Sequence, residues 1–476
     1  MNSILRKVVF VVSIAYISLV GVLQAEEIQE KGSTENKVAE VREVKSEDIT
    51  QQETLTGDWG GVRTDLHNKG IDFGFTETLE TLANFTGGTR RGAIIEGLLD
   101  MSFDVDFEKL AGIDGLTIHA NAFQIHGRGL SGANVYNNIL TASSIEAERS
   151  TRLFNLWVQK NFFDDNLSIR AGQIAVDDEF DISQYALLYI NSAFGWPSTV
   201  GTNLPAGGPA FPLATPGVRM KVGQTEPWSF QMGVYDGDPS GRGSHSNPQI
   251  RNNSGTTFNL DQGALIIGEL AYGLKPKNPE GLAGTYKLGG WYHTEDFADL
   301  RYDTEGLSLA DPGSSGNPRQ QHGNYGIYGV IDQMVWHKPG SECSCDGVGA
   351  FARFSWNPED RNLVAYQVDA GVNWKALIPG RDDDTLGVAF VYAGMSDEAR
   401  GLDKDTNAFS GGGTPLRDYE ALVEVTYQAA ITPWCMLQPD FQYIFHPGGN
   451  IINPDASNGA TLKDAVVLGL RLVVKF

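Results

Sequence analysis

The C-terminal segment 465–476 alternates between apolar residues and residues of other types. Its apolar positions recur at every second residue: Val466, Leu468, Leu470, Leu472, Val474 and Phe476. Arg471 and Lys475 fall in the other register, and segments 97–108 and 419–431 repeat the pattern with carboxylates on the second face. A period of two predicts β-strands with one apolar face, which fits either a water-soluble sandwich or a membrane barrel.

Strand length and aromatic residues favour the membrane barrel. The alternating segments run for about 10 to 13 residues, longer than an ordinary strand and close to the roughly 9 to 11 residues that cross a bilayer at a tilt. Aromatic residues recur near the ends of these segments: Trp228, Tyr272, Tyr325, Trp336, Trp356, Trp374 and Phe476. Such positions are typical of the aromatic girdles at the two membrane interfaces.

Sixteen alternating segments can be placed along the chain. They lie at about 71–84, 97–108, 116–126, 152–162, 167–176, 216–223, 228–235, 262–273, 284–295, 325–337, 348–356, 363–377, 385–395, 419–431, 437–446 and 465–476. Short and long connections alternate, as periplasmic turns and extracellular loops do. The sequence therefore predicts an all-β fold, a transmembrane sixteen-stranded antiparallel up-and-down β-barrel with a water-filled lumen and both termini in the periplasm.

The connection 177–215 is the most informative loop. A connection of this length is uncommon unless it is functional. It is dense in aromatic and proline residues: Phe180, Tyr185, Tyr189, Phe194, Trp196, Phe211, Pro197, Pro205, Pro209 and Pro212. Because so many aromatic side chains would be a liability on an exposed loop, we expect the segment to fold inward as a constriction loop.

The N-terminal region predicts export. Residues 1–25 combine the positive charges of Arg6 and Lys7, an apolar stretch and the small residue Ala25, as a cleavable signal peptide does. An uncleaved anchor is the alternative. Residues 26–54 are acidic and lack aromatic residues, which predicts a periplasmic spacer, although a short amphipathic helix would also fit. The predicted barrel occupies residues 55–476, where no apolar run approaches a transmembrane helix.

Charge and cysteine content exclude several classes of protein. The chain has 36 Lys and Arg against 59 Asp and Glu, a net charge of −23, so nucleic acid is not an expected partner. Three cysteines are too few for a disulfide scaffold. They leave open a bridge between Cys343 and Cys345 or one between Cys345 and Cys435. We expect no metal site, because His337 and these cysteines do not complete a four-ligand set.

Strand parity places charged residues of both signs in the lumen. The candidates for lining the pore and contacting a solute are Arg170, Arg219, Arg353, Arg471, Glu420, Glu424 and Asp440. Opposing charges in a narrow water channel create a transverse field and offer many hydrogen-bond partners, which suits neutral polyhydroxylated solutes. Trp196 is a candidate stacking platform for a sugar ring. The alternatives are that the charges tie down loops through ion pairs, and that the aromatics only wedge the loop in place.

Motifs for covalent chemistry are missing from the sequence. It contains no P-loop, no H-E-x-x-H, no G-x-S-x-G and no C-x-x-C, and its eight histidines are scattered. We therefore expect no enzymatic activity and no cofactor. A barrel hydrolase stays open as an alternative, because sequence cannot exclude a Ser and a His on one wall.

Ordered motifs give the chain a family resemblance. The run LTGDWGGVR at residues 55–63 resembles the N-terminal signature of the carbohydrate-selective porins of Gram-negative outer membranes, the OprB family. Further matching motifs follow in order: NLWVQKNFFD at 155–164, RAGQ at 170–173, PGVR at 216–219, IDQM at 331–334, LIPGRDDD at 377–384, QPDFQY at 438–443, HPGG at 446–449 and GLR at 469–471. The acidic spacer and the Cys343-Ser-Cys345 turn depart from the family pattern.

The resemblance implies an outer-membrane porin for passive, sugar-preferring diffusion of glucose and related carbohydrates into the periplasm. It carries a pore-lining role over to Arg170, Arg219 and Arg471, which lie in matching motifs. Expected partners are mono- and oligosaccharides, outer-membrane lipids and lipopolysaccharide, and the barrel-assembly machinery through the C-terminal Phe476. A general or organic-anion diffusion porin is the first alternative, and the barrel hydrolase is the second.

Overall fold

The computed structural model of the protein describes residues 48–135, 139–224, 227–274, 281–341, 343, 345–456 and 459–476. The predicted signal peptide 1–25 and most of the predicted spacer 26–54 lie outside these ranges. Within them, sixteen strands close one antiparallel barrel, as predicted. In chain order they are β1 Ile71–Thr86, β2 Gly92–Asp106, β3 Leu116–Gly127, β4 Ser150–Phe162, β5 Leu167–Ile174, β6 Thr215–Val222, β7 Trp228–Asp236, β8 Ala264–Leu274, β9 Gly284–Asp303, β10 Pro318–His337, β11 Gly347–Trp356, β12 Val364–Lys375, β13 Thr385–Met395, β14 Tyr419–Thr432, β15 Cys435–Phe445 and β16 Ala465–Lys475.

The two faces of the wall follow the alternation of the sequence. On β16, Leu468 and Leu470 are exposed on the outer face, while Val467, which belongs to the other register, is buried on the inner face. Arg471 pairs with Glu80 of β1 in the antiparallel register, and both side chains turn to the lumen. The outer face is therefore apolar and the inner face polar, as a barrel that contacts lipid and encloses water requires.

The first and last strands close the barrel. β1 pairs with β16 from Thr76 opposite Lys475 up to Thr86 opposite Val466. Beyond the strand, the amide of Leu55 donates to the Lys475 carbonyl over 2.8 Å. We call the end of the barrel that holds this junction and the short connections the turn end, and the opposite end the loop end.

Short helices occupy some of the connections. They are α1 Val62–Asn68, α2 Phe107–Ala111, α3 Ser198–Gly201, α4 Pro248–Arg251, α5 Asp397–Ser410 and α6 Pro447–Asn450. Helix α2 corrects the predicted strand 97–108, because Asp106 accepts hydrogen bonds from the amides of Glu108 and Lys109 and so ends β2 by capping a helix. No helix in the described ranges is both long and apolar enough to cross a membrane.

Helix α5 lies at the loop end and was not predicted. Ser396 caps it by accepting hydrogen bonds from the amides of Glu398 and Ala399, and acidic residues fill its first turn. Gly411, with a φ of 86°, ends the helix in the left-handed conformation that glycine adopts without strain. The helix packs on the extended part of β9, where Arg301 bonds Asp405 over 2.8 Å.

Strands β9 and β10 are longer than predicted. The added part of β10 carries polar residues in both registers, and Asp296 interrupts the apolar register of β9, so the continuous alternation that marks a membrane strand stops there. The added parts of the two strands instead form a two-stranded ribbon held by cross-strand contacts. The Asp299 carboxylate accepts hydrogen bonds from Arg319 over 2.6 Å and from Gln321 over 2.8 Å.

The cysteines form one bridge. Cys343 and Cys345 are bonded to each other at the turn end, and Cys435 is a free thiol. This arrangement selects the first of the two pairings that the sequence left open.

Candidate functional site

A long connection lies against the inner wall of the barrel. It joins β5 to β6 through residues 175–214, and we call it the inner loop. Phe180 and Ile190 of this loop are fully buried. The ring of Phe194 lies 6.2 Å between centroids from Phe351 of β11, and that of Tyr189 lies 5.8 Å from the same residue. The inner loop therefore has an apolar side packed on the wall.

Arg353 of β11 binds the inner loop and the wall together. Its Nε donates to Asp369 of β12 over 2.8 Å. Its Nη1 donates to the carbonyls of Asp181 and Gly195, and its Nη2 donates to the carbonyl of Ala193 over 2.7 Å. Both members of the ion pair are almost fully buried. The guanidinium thus donates hydrogen bonds to three loop carbonyls that accept none from the backbone of a described helix or strand.

Wall carboxylates bind the amide groups of the inner loop. Glu424 of β14 accepts hydrogen bonds from the amides of Ile190 over 2.6 Å and Asn191 over 3.1 Å. Four strands away along the wall, Asp332 of β10 accepts a hydrogen bond from the amide of Gln184 over 2.9 Å. The wall thus offers an arginine to the loop carbonyls and carboxylates to the loop amides. These contacts complete the hydrogen bonding of a loop whose regular structure is limited to short helical turns.

Glu420, which lies beside Glu424 on the inner face of β14, binds two further connections. It accepts hydrogen bonds from the amides of Ile139 and Leu140, over 2.8 and 2.9 Å, and from the amide of Gly448, over 2.6 Å. The β3–β4 and β15–β16 connections are therefore joined to the same carboxylate.

Two predicted arginines share one carboxylate of the inner loop. Arg219 of β6 binds Glu179 through Nε and Nη2, over 2.5 and 2.6 Å. Arg170 of β5 lies 3.3 Å from the same carboxylate, and its guanidinium stacks 3.7 Å above the ring of Trp157. The two guanidinium groups thus share one negative charge and are held in fixed directions at the wall.

The two remaining predicted residues differ, since Arg471 is ion-paired whereas Asp440 has a neutral hydrogen-bond partner. Arg471 binds Glu80 and donates to Ser144 of the β3–β4 connection over 3.0 Å. Asp440 of β15 accepts a hydrogen bond from Gln442 over 2.9 Å. All seven predicted charged residues face inward. Within the described ranges, six of them either bind a loop or form an ion pair. Their contact with a solute stays a prediction.

Trp196 borders a cavity inside the barrel, which we call the chamber. The chamber has a volume of about 440 Å³ and lies between the inner loop and the β3–β4 connection. Hydroxyl, carboxyl and amide groups line it together with Trp196: Thr141, Ser143, Ser144, Glu146, Asp177, Ser192, Ser198, Thr202 and Gln249. The indole Nε1 of Trp196 donates to the Gly207 carbonyl over 3.0 Å, which fixes the ring at the edge of the chamber.

Sequence reasoning missed Asp177 and Glu146 as lining residues. The signal for Asp177 is the acidic run 177–179 directly after a strand and at the start of the long loop. No sequence pattern indicated Glu146. Its position depends on a hydrogen bond that its carboxylate accepts from the amide of Ser131 in the same connection, over 3.0 Å.

Burial changes the pKa of Asp177, which lines the chamber. Desolvation and the adjacent Asp178 carboxylate raise the pKa of Asp177 to about 8, against an opposing hydrogen bond from the amide of Phe211. Because the folded pKa is raised, the contribution of Asp177 to stability is complete below about pH 4 and is lost as the pH rises through about 8.

We therefore expect the chamber to gain negative charge as the pH increases from about 6 to 9. The ratio of cation to anion permeability, measured from reversal potentials in a salt gradient, should rise over this range. The Asp177→Asn variant should lose most of that rise, whereas Asp65→Asn, an exposed change in α1, should keep it. Equal pH profiles for wild type and Asp177→Asn would contradict this assignment.

A larger groove and a cysteine cluster lie elsewhere. The groove, of about 670 Å³, is bordered by Leu156, Val218 and Val234 of the outer face and therefore does not belong to the lumen. Among the described residues, Cys343, Cys345 and Asp346 form a group at metal-ligand distances. The two sulfurs are bonded to each other, so they do not offer thiolate ligands.

The comparisons with known proteins agree with this geometry. The chain is 26% identical to Porin B of Pseudomonas aeruginosa over 83% of its own length and 87% of that protein. It is 25% identical to the putative porin QuiX of Acinetobacter baylyi, covering 89% of this chain and 93% of that one. The high-pH structure of Pseudomonas putida OprB superposes with a TM-score of 0.79 at 23% identity, over 90% of this chain and all of that chain.

A family model extends the match over most of the chain. The model for the carbohydrate-selective porins, OprB family, matches residues 90–476. The relatives are channels, so the hydrolase alternative falls away and the protein is not an enzyme. A closed barrel, a polar lumen with an inner loop and a family match of this extent lead to one conclusion: the chain belongs to the OprB family of carbohydrate-selective porins, outer-membrane β-barrels for sugar-preferring diffusion.

Proposed function

We propose that this porin passes glucose and related mono- and oligosaccharides into the periplasm, with the inner loop as its constriction. The observation that carries the proposal is the chamber beside Trp196, which aromatic rings line together with hydroxyl and carboxyl groups. A sugar ring has apolar C–H faces that pack on an indole, and its hydroxyls need donors and acceptors around the rim.

The pairing of charges supports a preference for neutral solutes. Arg353 and Arg471 each lie against a carboxylate of their own, and Arg170 and Arg219 share Glu179. Three carboxylates thus balance most of the charge of these four arginines, and little is left to attract organic anions. None of the described residues that line the chamber is basic. A general or organic-anion porin therefore fits less well, and a gluconate-to-glucose comparison in swelling assays separates the two.

Orientation and partners complete the proposal. Both termini and the short turns would face the periplasm, as is usual for such barrels, and the loop end would face the exterior. Lipids and lipopolysaccharide would surround the apolar outer face. The C-terminal Phe476 would be the residue through which the barrel-assembly machinery binds the unfolded chain.

Replacing Trp196 by alanine should weaken the binding of glucose in the pore by about fivefold, because the stacking surface for the sugar ring is lost. The measurement is the glucose concentration that half-blocks the ion current through single channels. Trp196→Phe should restore part of the block. Trp374→Ala, an outer-face variant, should behave as wild type. Unchanged block in Trp196→Ala would remove Trp196 from the site while leaving the channel function intact.

A further inference from the structure

Three arginines cluster at the loop end of the wall. Arg91 precedes β2, Arg128 follows β3 and Arg149 precedes β4, and all three are exposed. We call them the rim arginines. In the described part of the chain, no hydrogen bond or ion pair involves their guanidinium groups, whereas Arg301 and Arg417 at the same end bind Asp405 and Asp403.

The strand register places Arg128 and Arg149 close together at the ends of β3 and β4, with Arg91 further toward the loop end, just before β2. The amide of Arg128 donates to the carbonyl of Ile95 on β2 over 3.0 Å, so β3 continues beside β2 at this level. Ser150, the residue after Arg149, pairs with Ile125 of β3. Neighbouring strands lie about 4.8 Å apart, so Arg128 and Arg149 can reach one group of a ligand. Arg91, which lies four residues or roughly 13 Å from Ile95 along the direction of β2, would reach a second group. Ile95 is 64% exposed, so the outer face is open at this level.

Polar side chains continue on the outer face below the rim arginines. His126 of β3 contacts Gln124 over 3.1 Å through Nδ1 and Glu77 of β1 over 3.4 Å through Nε2. Gly97 of β2 lies between them, and a Cβ there would come within 2.3 Å of the His126 ring. Glu77 pairs with Val474 of β16, an outward position, so this polar group is on the outer wall.

Polar groups on this wall are costly against bare hydrocarbon. A charged or hydrogen-bonding side chain on the lipid face of a barrel is destabilising unless it finds a polar partner. The three polar residues and the three arginines lie on the same outward face of β1–β4 and form one polar strip. Within it, Leu99 lies between Glu77 and Gln124, and Leu79 lies beside Gly97. The strip offers cations above, hydrogen-bonding groups in the middle and apolar surface beside them.

We propose that this strip binds the head group of a phosphorylated glycolipid in the outer leaflet. The rim arginines would bind phosphate through paired N–H groups, which match the geometry of phosphate oxygens. His126 and Gln124 would bind hydroxyl or amide groups of the sugar head, and the acyl chains would lie along Leu79 and Leu99. The inference rests on the proposed orientation, in which the loop end faces the exterior.

The test measures lipid binding to the purified full-length barrel in detergent. Bisphosphorylated lipid A is titrated and the bound fraction is read by native mass spectrometry, with monophosphorylated lipid A as the comparison. Wild type should bind the bisphosphorylated form about tenfold more tightly than the triple variant Arg91→Gln, Arg128→Gln, Arg149→Gln. The control variant Arg242→Gln, Arg400→Gln, Lys404→Gln removes the same charge from exposed positions elsewhere at the loop end and should bind as wild type.

Two results would overturn the proposal. Equal affinity in wild type and the triple variant would show that the rim arginines do not bind the lipid, and an equal loss in the control variant would show that net charge alone acts. Inorganic phosphate at millimolar concentration should not displace the lipid; complete displacement would indicate a site for free phosphate. Glucose flux, measured in the same preparations, should be unchanged in all variants, which separates this result from a failure of the sugar channel.

Discussion

Replacing Arg353 by methionine is expected to release the inner loop from the wall. The variant leaves the buried Asp369 carboxylate without its ion-pair partner and the loop carbonyls of Asp181 and Gly195 without their donor, while the Ala193 carbonyl keeps only Gln367. Breaking a buried ion pair costs about 3 to 5 kcal/mol. Since the ladder of sixteen strands is untouched, the cost should fall on the docking of the loop. Amide hydrogen exchange in 181–195 should accelerate more than about a hundredfold, and glucose block of the current should be lost.

Two variants give this prediction its controls. Arg381→Met removes an ion pair with Asp384 in a turn-end connection that does not contact the inner loop, and it should leave exchange in 181–195 unchanged. Arg353→Lys keeps the charge but not the planar fork of donors, so only part of the protection should return. Protected amides and normal block in Arg353→Met would mean that the apolar packing around Phe351 alone holds the loop.

Replacing Glu424 by glutamine should loosen the inner loop at a second point. The amides of Ile190 and Asn191 donate to different oxygens of Glu424. In glutamine one of these oxygens is replaced by an NH2 group, so one of the two amides would face a donor instead of an acceptor. A hydrogen bond to a charged group contributes about 1.5 to 3 kcal/mol, so exchange of these two amides should increase by roughly 10- to 100-fold.

The neighbouring Glu420 supplies the matched comparison. Glu420→Gln should affect the amides of Ile139 and Leu140 and leave those of Ile190 and Asn191 protected, because Glu420 binds a different connection. The exposed Glu108→Gln should change neither pair. If Glu424→Gln and Glu420→Gln accelerated the same amides equally, the two carboxylates would act through the stability of β14 rather than through separate loops.

The architecture was predictable because the strands of a membrane barrel must alternate between residues that face lipid and residues that face the lumen. The alternation at 465–476 gave the correct outward face for Leu468 and Leu470 and the inward face for Arg471. Parity likewise placed Arg353, Glu420 and Glu424 inside. Regions outside the membrane lack this constraint, which is why the extensions of β9 and β10 and helix α5 were missed.

The partners of the inward charges were not predictable. Parity gives the face of a residue but not the atom that it meets, and those atoms come from residues far along the chain. Glu424 binds amides of Ile190 and Asn191, and Arg353 binds carbonyls from three inner-loop residues. The sequence allowed two interpretations of the inward charges, contact with a solute or attachment of loops, and only such long-range contacts distinguish them. The structure shows the attachments.

The central claim is that the lumen, narrowed by the inner loop, passes sugars in preference to other solutes of the same size. The most direct test is the swelling rate of liposomes that contain the purified protein, with glucose compared with neutral amino acids of similar mass and with gluconate. The account predicts faster swelling in glucose than in either comparison. Equal rates for all solutes, or a faster rate for gluconate, would contradict it.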